Sequence, residues 1–344
     1  MAFERLLDTS GAVSHPATLV TIGVAAAGIL AALVSVPLVS RVAGDAAAAR
    51  EVRTRTLTWV VIAPAVLVPV LLAPLGDMLI ACVLSVLCYR EFARVTGLFR
   101  ERLVSALVVL GVLAVTFSHV DHWPGLTVAV QAFTLCGLCV FSVLPDRPQG
   151  YIQRVALGTA AFLLFGVGLM RLGAMGNDAH YRPLVCSVVL CTQMSDVFAF
   201  CVGKVARGLM GGAGGGPVRL FPRTSPGKTL AGHAGALVLT VPLAVVMYWL
   251  TFRGGVLAGP VHLSVMAVIT AVGAQMGDLV ISSVKRDVGV KDMGALLPGH
   301  GGVLDRCNSL LLVAPAVYHY AVFFGGLTGN APERVLTGSW FPAR

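Results

Sequence analysis

Residues 273–310 read GAQMGDLVISSVKRDVGVKDMGALLPGHGGVLDRCNSL, and the rest of the chain is interpreted outward from them. The stretch starts inside an apolar run, leaves it at Lys285-Arg286, crosses a loop rich in glycine and charge, and enters a second apolar run at Ser309. At about 3.6 residues per turn, Gln275, Asp278, Ser282 and Lys285 fall at i, i+3, i+7 and i+10, so a carboxylate, a hydroxyl and an ammonium line one stripe of an otherwise apolar helix. Beyond the loop, Asp305 and Asn308 repeat the i, i+3 spacing. Two acidic helix faces and a Lys/Arg cluster therefore meet at one membrane boundary.

The same character extends to both ends. Of the 344 residues, 57% are hydrophobic and only 12% charged, with a mean hydropathy of +0.86, which excludes an ordinary soluble domain. Apolar runs recur at 17–40, 56–75, 77–95, 103–119, 125–145, 152–175, 182–203, 230–252, 256–284 and 309–328. Runs of about 20 residues each cross a hydrocarbon core of about 30 Å as a helix. The expected fold is all-α, a polytopic integral membrane protein of about ten transmembrane helices. No cleavable signal peptide is expected, because residues 1–16 carry Glu4, Asp8 and Pro16 and lack a basic segment leading into an apolar one.

The net charge of +9 raises nucleic acid as a partner, but its distribution points to topology instead. With ten spans and the N-terminus outside, 19 of the 25 basic residues fall on inner loops, the asymmetry of the positive-inside rule. No nucleic acid is expected, and the 273–310 loop faces the cytoplasm. The eight cysteines lie in or beside apolar spans, where they read as small packing residues between helices, with a redox or zinc role as the alternative.

Polar residues concentrate after residue 181. Gln193, Ser195 and Asp196 interrupt an apolar span, where a carboxylate is costly unless it faces a cavity, an ion or a partner. A structural hydrogen bond to a neighbouring helix is the competing reading. The glycine run 208–216 lacks the Gly-Lys-Ser/Thr ending of a phosphate loop and reads as a flexible linker. Lys228 and Thr229 stand at a helix N-terminus, whose free N–H groups suit an anion. Earlier in the chain, Glu91 beside Arg90 reads as half of an interfacial ion pair, with a reach into the site as the alternative. His119, His122 and His180 read as solvated in outer loops, and the tail after 328 carries no readable signal.

The 273–310 stretch resembles the signature of the phosphatidate cytidylyltransferases, or CDP-diacylglycerol synthases. The matching positions are Ser282, Lys285-Arg286, Lys291-Asp292, Gly294, Pro298, His300-Gly301-Gly302 and Asp305-Arg306. It departs at Cys307 and at Asn308, where the family closes with Asp. Asp196, Ala199, Phe200 and Gly203 are similar to a second family run, and Ser225-Pro226, Lys228-Thr229 and Gly232 to a third, with Ala231 in place of Glu.

The resemblance implies transfer of a cytidylyl group from CTP to phosphatidic acid, releasing pyrophosphate and giving CDP-diacylglycerol for phospholipid synthesis. It also implies a homodimer among the lipids of the inner (cytoplasmic) membrane. The chemical problem is negative charge approaching negative charge, which divalent cations and Lys/Arg relieve. Mg2+, one ion or two, prefers carboxylates and phosphate oxygens, so Asp278, Asp305, Asp196 and the carbonyl of Asn308 are the expected metal ligands. Asp278, Ser282, Lys285 and Asp305 are the expected catalytic set. Ser225, Lys228, Thr229, Arg286, Lys291, Asp292, His300, Gly301, Gly302 and Arg306 are expected to bind substrate. Residues 1–181 are then a transmembrane scaffold, 182–328 the catalytic region of one continuous membrane domain, and 329–344 a short tail. The competing readings are a non-catalytic paralogue, a CTP-dependent lipid kinase and an ion-coupled transporter.

Overall fold

The computed structural model describes residues 2–42, 46–210, 218–326 and 334–338, and all ten expected runs are helical within it. A short α1 (Ala2–Leu6) precedes α2 (Pro16–Val42), α3 (Ala46–Leu72), α4 (Pro74–Thr96), α5 (Arg102–Val120) and α6 (Pro124–Phe141). Next, α7 (Tyr151–Ala161) runs through a π-helical stretch, Phe162–Leu169, into α8 (Arg171–Met175). The last part comprises α9 (Tyr181–Met210), α10 (Leu230–Phe252), α11 (Pro260–Asp287), the one-turn α12 (Leu304–Cys307) and α13 (Leu310–Gly325). Among the described residues the only β pairing is two isolated bridges, Arg219 with Thr229 and Leu297 with Gly301.

Eight helices are long and apolar enough to cross a membrane, and α13 is a shorter apolar helix. The tenth, α4, carries Asp77 near its start and Arg90, Glu91 and Arg94 near its end. Pro74, Pro124 and Pro260 open α4, α6 and α11, where a missing N–H costs nothing, and Gly97 closes α4 at φ 79°. The outward surface is apolar, with Phe133, Leu209 and Phe323 about four-fifths exposed, as lipid contact requires. Inside, Phe162, Phe165, Met170, Leu184, Met247 and Met266 are fully buried. Buried hydroxyls pair with each other, Tyr248 with Thr270 at 2.7 Å and Ser187 with Thr251 at 2.8 Å.

Several expectations are corrected. His119 and His122 are 4% and 5% exposed, because the α5–α6 turn is covered by neighbouring segments rather than by solvent. His180 does stand exposed, with 67% of its side chain accessible. Of the cysteines, Cys136, Cys139 and Cys201 face outward, since they lie on the outer stripes of α6 and α9. The tail carries a contact after all: the N–H groups of Leu336 and Thr337 donate to Asp121 at 2.6 and 2.9 Å. Most of the 208–216 glycine run lies outside the described residues.

The site is positioned by close helix contacts. Along one side α10 packs on α9 and α11, and α11 packs on α13. Gly277 is required there: a Cβ would lie 2.5 Å from the Asn308 carbonyl oxygen. A side chain would push α11 away from the end of the signature loop.

Candidate active site

The signature loop is shaped by a turn its sequence dictates. Leu297-Pro298-Gly299-His300 closes with His300 N–H donating to Leu297 O at 2.9 Å, with Pro298 second and Gly299 third at φ +74°. That is the arrangement of a type II turn. Thr58 of α3 donates to Pro298 O at 2.8 Å, and Arg306 donates twice to His300 O, at 3.1 and 3.3 Å.

Glu91 holds the next segment, and this replaces the ion-pair reading. Its buried carboxylate accepts the Val303 and Leu304 N–H groups at 3.0 and 2.9 Å, capping the start of α12 from α4. Both Gly294 and Gly302 lie against it so closely that a Cβ at either would overlap the carboxylate.

Asp305 follows directly. Its Oδ1 accepts from Lys285 Nζ at 2.9 Å, and its Oδ2 accepts the N–H groups of Met293 and Gly302 at 2.9 and 3.0 Å. One carboxylate thus ties both strands of the loop to the end of α11.

A cavity of about 330 Å³ opens between this loop, α9, α11 and the start of α10. Of the expected site residues, Asp196, Lys228, Thr229, Asp278, Lys285 and Asp292 line it, as do Asp305, Arg306 and Asn308. The charges are paired across it, Lys228 with Asp278 and Lys285 with Asp305. Asp278 also accepts from the Asn308 amide at 2.6 Å, and Asp196 from Ser309 Oγ at 3.1 Å. Thr229 acts as the N-cap of α10, its Oγ1 accepting from Gly232 N–H at 3.1 Å.

The remaining expected residues do not line the cavity. Ser282 is buried on α11, and Lys291 is exposed. Arg286 turns toward the other loop, donating to Thr224 O at 3.2 Å. Ser225 accepts the Lys228 N–H through its carbonyl at 3.1 Å and so makes the turn that delivers Lys228. Gly301 takes φ +80° beside Asp292 and Asp305, and Gly302 lies against Glu91 while its N–H donates to Asp305. The His300 ring packs edge-on to Trp59 at 5.8 Å. Burial, then the charges of Arg306 and Arg55, hold its pKa below the ordinary histidine value.

Three polar lining residues were not assigned a role from sequence. Gln275 lies on the acidic stripe and donates to Ser195 at 3.0 Å. Arg207 reaches the cavity because α9 continues past residue 203, and its Nε donates to Gly203 O at 3.1 Å. His233 follows Thr229 by one helical turn, a spacing that could have revealed it.

A profile of the cytidylyltransferase family matches residues 53–324, which takes in α4, the cavity and the whole signature loop. The chain belongs to the cytidylyltransferase family. It is an enzyme of the nucleotidyltransferase kind. It is 31% identical over 274 residues to a phosphatidate cytidylyltransferase of Staphylococcus aureus (strain COL), covering 76% of this chain and 96% of that one. A phosphatidate cytidylyltransferase of Staphylococcus saprophyticus is 30% identical over 277 residues, with the same coverage. An uncharacterized protein of Escherichia coli (strain K12), YnbB, is 31% identical over 198 residues, 53% of this chain and 59% of that protein. The matched span takes in α9–α13 and Glu91 of α4, the elements that build the cavity and its loop.

Among the described residues no group of three or more His, Cys, Asp or Glu side chains is arranged to hold a metal ion. Asp305 is engaged by three donors, whereas Asp196 accepts only from the Ser309 hydroxyl. A carboxylate offers about four lone-pair sites, so Asp196 and Asp278 keep free acceptor capacity toward the cavity. Two carboxylates, completed by waters and substrate phosphates, suit one Mg2+.

Proposed function

We propose that this enzyme joins CTP to phosphatidic acid, forming CDP-diacylglycerol and pyrophosphate, at a site facing the cytoplasm of the inner membrane. The observation that carries the reading is one cavity lined by four cations, Lys228, Lys285, Arg207 and Arg306, together with the carboxylates Asp196, Asp278, Asp292 and Asp305. A triphosphate and a lipid phosphate bring several negative charges together, and only such a cluster neutralises both.

In this reading Lys228, delivered by the 225–228 turn, and Lys285, held by Asp305, bind phosphate oxygens and stabilise the charge that builds on the departing pyrophosphate. Arg306 is fixed through the His300 carbonyl and binds the second phosphate. Asp196 and Asp278 would hold Mg2+, which when bound supplies a Lewis acid and charge neutralisation. The lipid phosphate is already ionised at neutral pH and needs no general base, so His300 serves the turn. Phe200, 63% exposed, carries the cavity rim onto the outer surface of α9, where a lipid tail can lie. The homodimer implied by the resemblance is part of the proposal.

The test is conversion of labelled CTP to a lipid-soluble cytidine product by the purified protein with phosphatidic acid and Mg2+. Phosphorylated lipid without cytidine would instead identify a CTP-dependent kinase.

A further inference from the structure

A second cavity, of about 210 Å³, lies at the other end of the bundle. Ser309, at the start of α13, touches Asp196 in the first site. Tyr318, His319 and Val322 of the same helix line the second cavity, about 14 Å along the axis at the helical rise. Its other walls are the α5–α6 turn, with His119, His122 and Trp123, and the segment from Arg171 to Asp178.

The chemistry of this cavity is unbalanced. Arg171 is 8% exposed, and no carboxylate among the described residues lies within ion-pair distance of it. Its one side-chain hydrogen bond, to Gln131, is 3.5 Å long, and its Nε has no partner. The guanidinium lies 5.3 Å over the Tyr318 ring, which offers attraction but no counter-charge. His119 is 4% exposed, and neither of its ring nitrogens has a partner. One further cation approaches the same walls, Arg5, which donates to His122 Nδ1 at 3.1 Å and to Asn177 at 3.3 Å, whereas Arg334, 3.9 Å over Trp123, stands near the Asp121 carboxylate. The carboxylate in the lining, Asp178, faces His180, accepting its N–H at 2.7 Å.

A buried guanidinium without a counter-ion is costly, and an unpartnered imidazole adds to that cost. An anion with several oxygens resolves both. We propose that this cavity binds a phosphate group, with Arg171 supplying the charge and His119 a ring N–H, while Trp123, Val128 and Val322 contact whatever apolar part the ligand carries. Lipid headgroups and free phosphate share this chemistry.

The test is hydrogen–deuterium exchange of the full chain in a phosphate-free alkyl maltoside detergent, alone, with phosphatidylglycerol added, or with millimolar inorganic phosphate. Slower exchange of 118–127 and 174–178, by about tenfold for a charge-assisted hydrogen bond, is expected with phosphate present and is expected to vanish in Arg171→Gln. Protection by phosphatidylglycerol alone assigns a lipid headgroup; protection by inorganic phosphate alone assigns a free anion. Should Arg171→Gln fail to fold, Val128→Trp at the exposed mouth is expected to abolish the same protection. Protection absent in all arms, or kept in the variant that folds, overturns the proposal. So does its loss in Lys228→Ala, which alters only the first cavity.

Discussion

Asn308 donates its side-chain amide to Asp278 at 2.6 Å, a contact that an aspartate at the same position could not make. The amide's orientation is fixed, because its oxygen accepts the Ser309 N–H at 2.8 Å. Asn308→Asp would set two carboxylates against each other, which demands a cation or a proton between them. The metal-free variant is expected to lose about 1–3 kcal/mol of stability and to regain it on adding Mg2+. Half-maximal activity should need roughly tenfold less Mg2+. Thermal melts and a Mg2+ titration of the rate check both, and unchanged metal demand would contradict this account of Asn308.

Glu91 and Gly302 form a second test. Glu91→Ala leaves two buried N–H groups unmatched, about 1–3 kcal/mol each, and is expected to lower the rate roughly tenfold to hundredfold by loosening the loop. Gly302→Ala should be as damaging alone, because its Cβ meets the Glu91 carboxylate. The double variant should be less damaging than the sum of the two, since removing the carboxylate makes room for the methyl. Strict additivity in a double-mutant cycle would mean that the two residues do not share this contact.

Lysines 285 and 291 are both signature residues, yet their placement separates them. Lys285 pairs with Asp305, whose side chain is only 6% exposed, so Lys285→Ala leaves an uncompensated carboxylate at about 3–5 kcal/mol. A rate loss of roughly a hundredfold or more is expected. Lys291 is exposed and away from the cavity lining, and Lys291→Ala should stay within about twofold, as surface substitutions do. Initial rates at saturating CTP compare them, and equal losses would show that Lys291 reaches substrate.

How much of this was legible before the structure follows from what each residue depends on. Asp278 and Lys285 were readable because they share a helical stripe, and the Pro298-Gly299 turn because its residue types dictate it. Lys228 was readable from its place at a helix start. Glu91 was readable only as an alternative to an ion pair, since its partners lie more than 200 positions away and only packing brings α4 under the loop. Arg207 is not found because the apolar run ends at 203, about two turns before the helix does at Met210. His119 was misread because its place in the last turn of an apolar helix gives no local sign of the distant segment around Asn177 that packs on it.

His122 contributes to the acid response of the fold. Arg5 can only donate, so His122 Nδ1 must accept, and the ring is neutral with its proton on Nε2. Burial first, and then the Arg5 charge, lower its pKa from 6.5 to about 4. The unfolded chain binds the proton first, so this contribution is fully present above 6.5 and is lost as pH falls toward about 4. Melting temperature should decline across that window, and His122→Asn, which also suits the φ of 52° there, should flatten the decline. An equally steep decline in the variant would place the acid sensitivity elsewhere.

The most direct measurement of the central claim is pyrophosphate release by the purified protein given CTP, with phosphatidic acid and Mg2+ each present or omitted. Release that requires both, and that falls by at least about a hundredfold in a folded Asp278→Asn variant, is the predicted result. Absence of release over a wide range of Mg2+ and Mn2+, or release indifferent to the lipid or to Asp278, would contradict it.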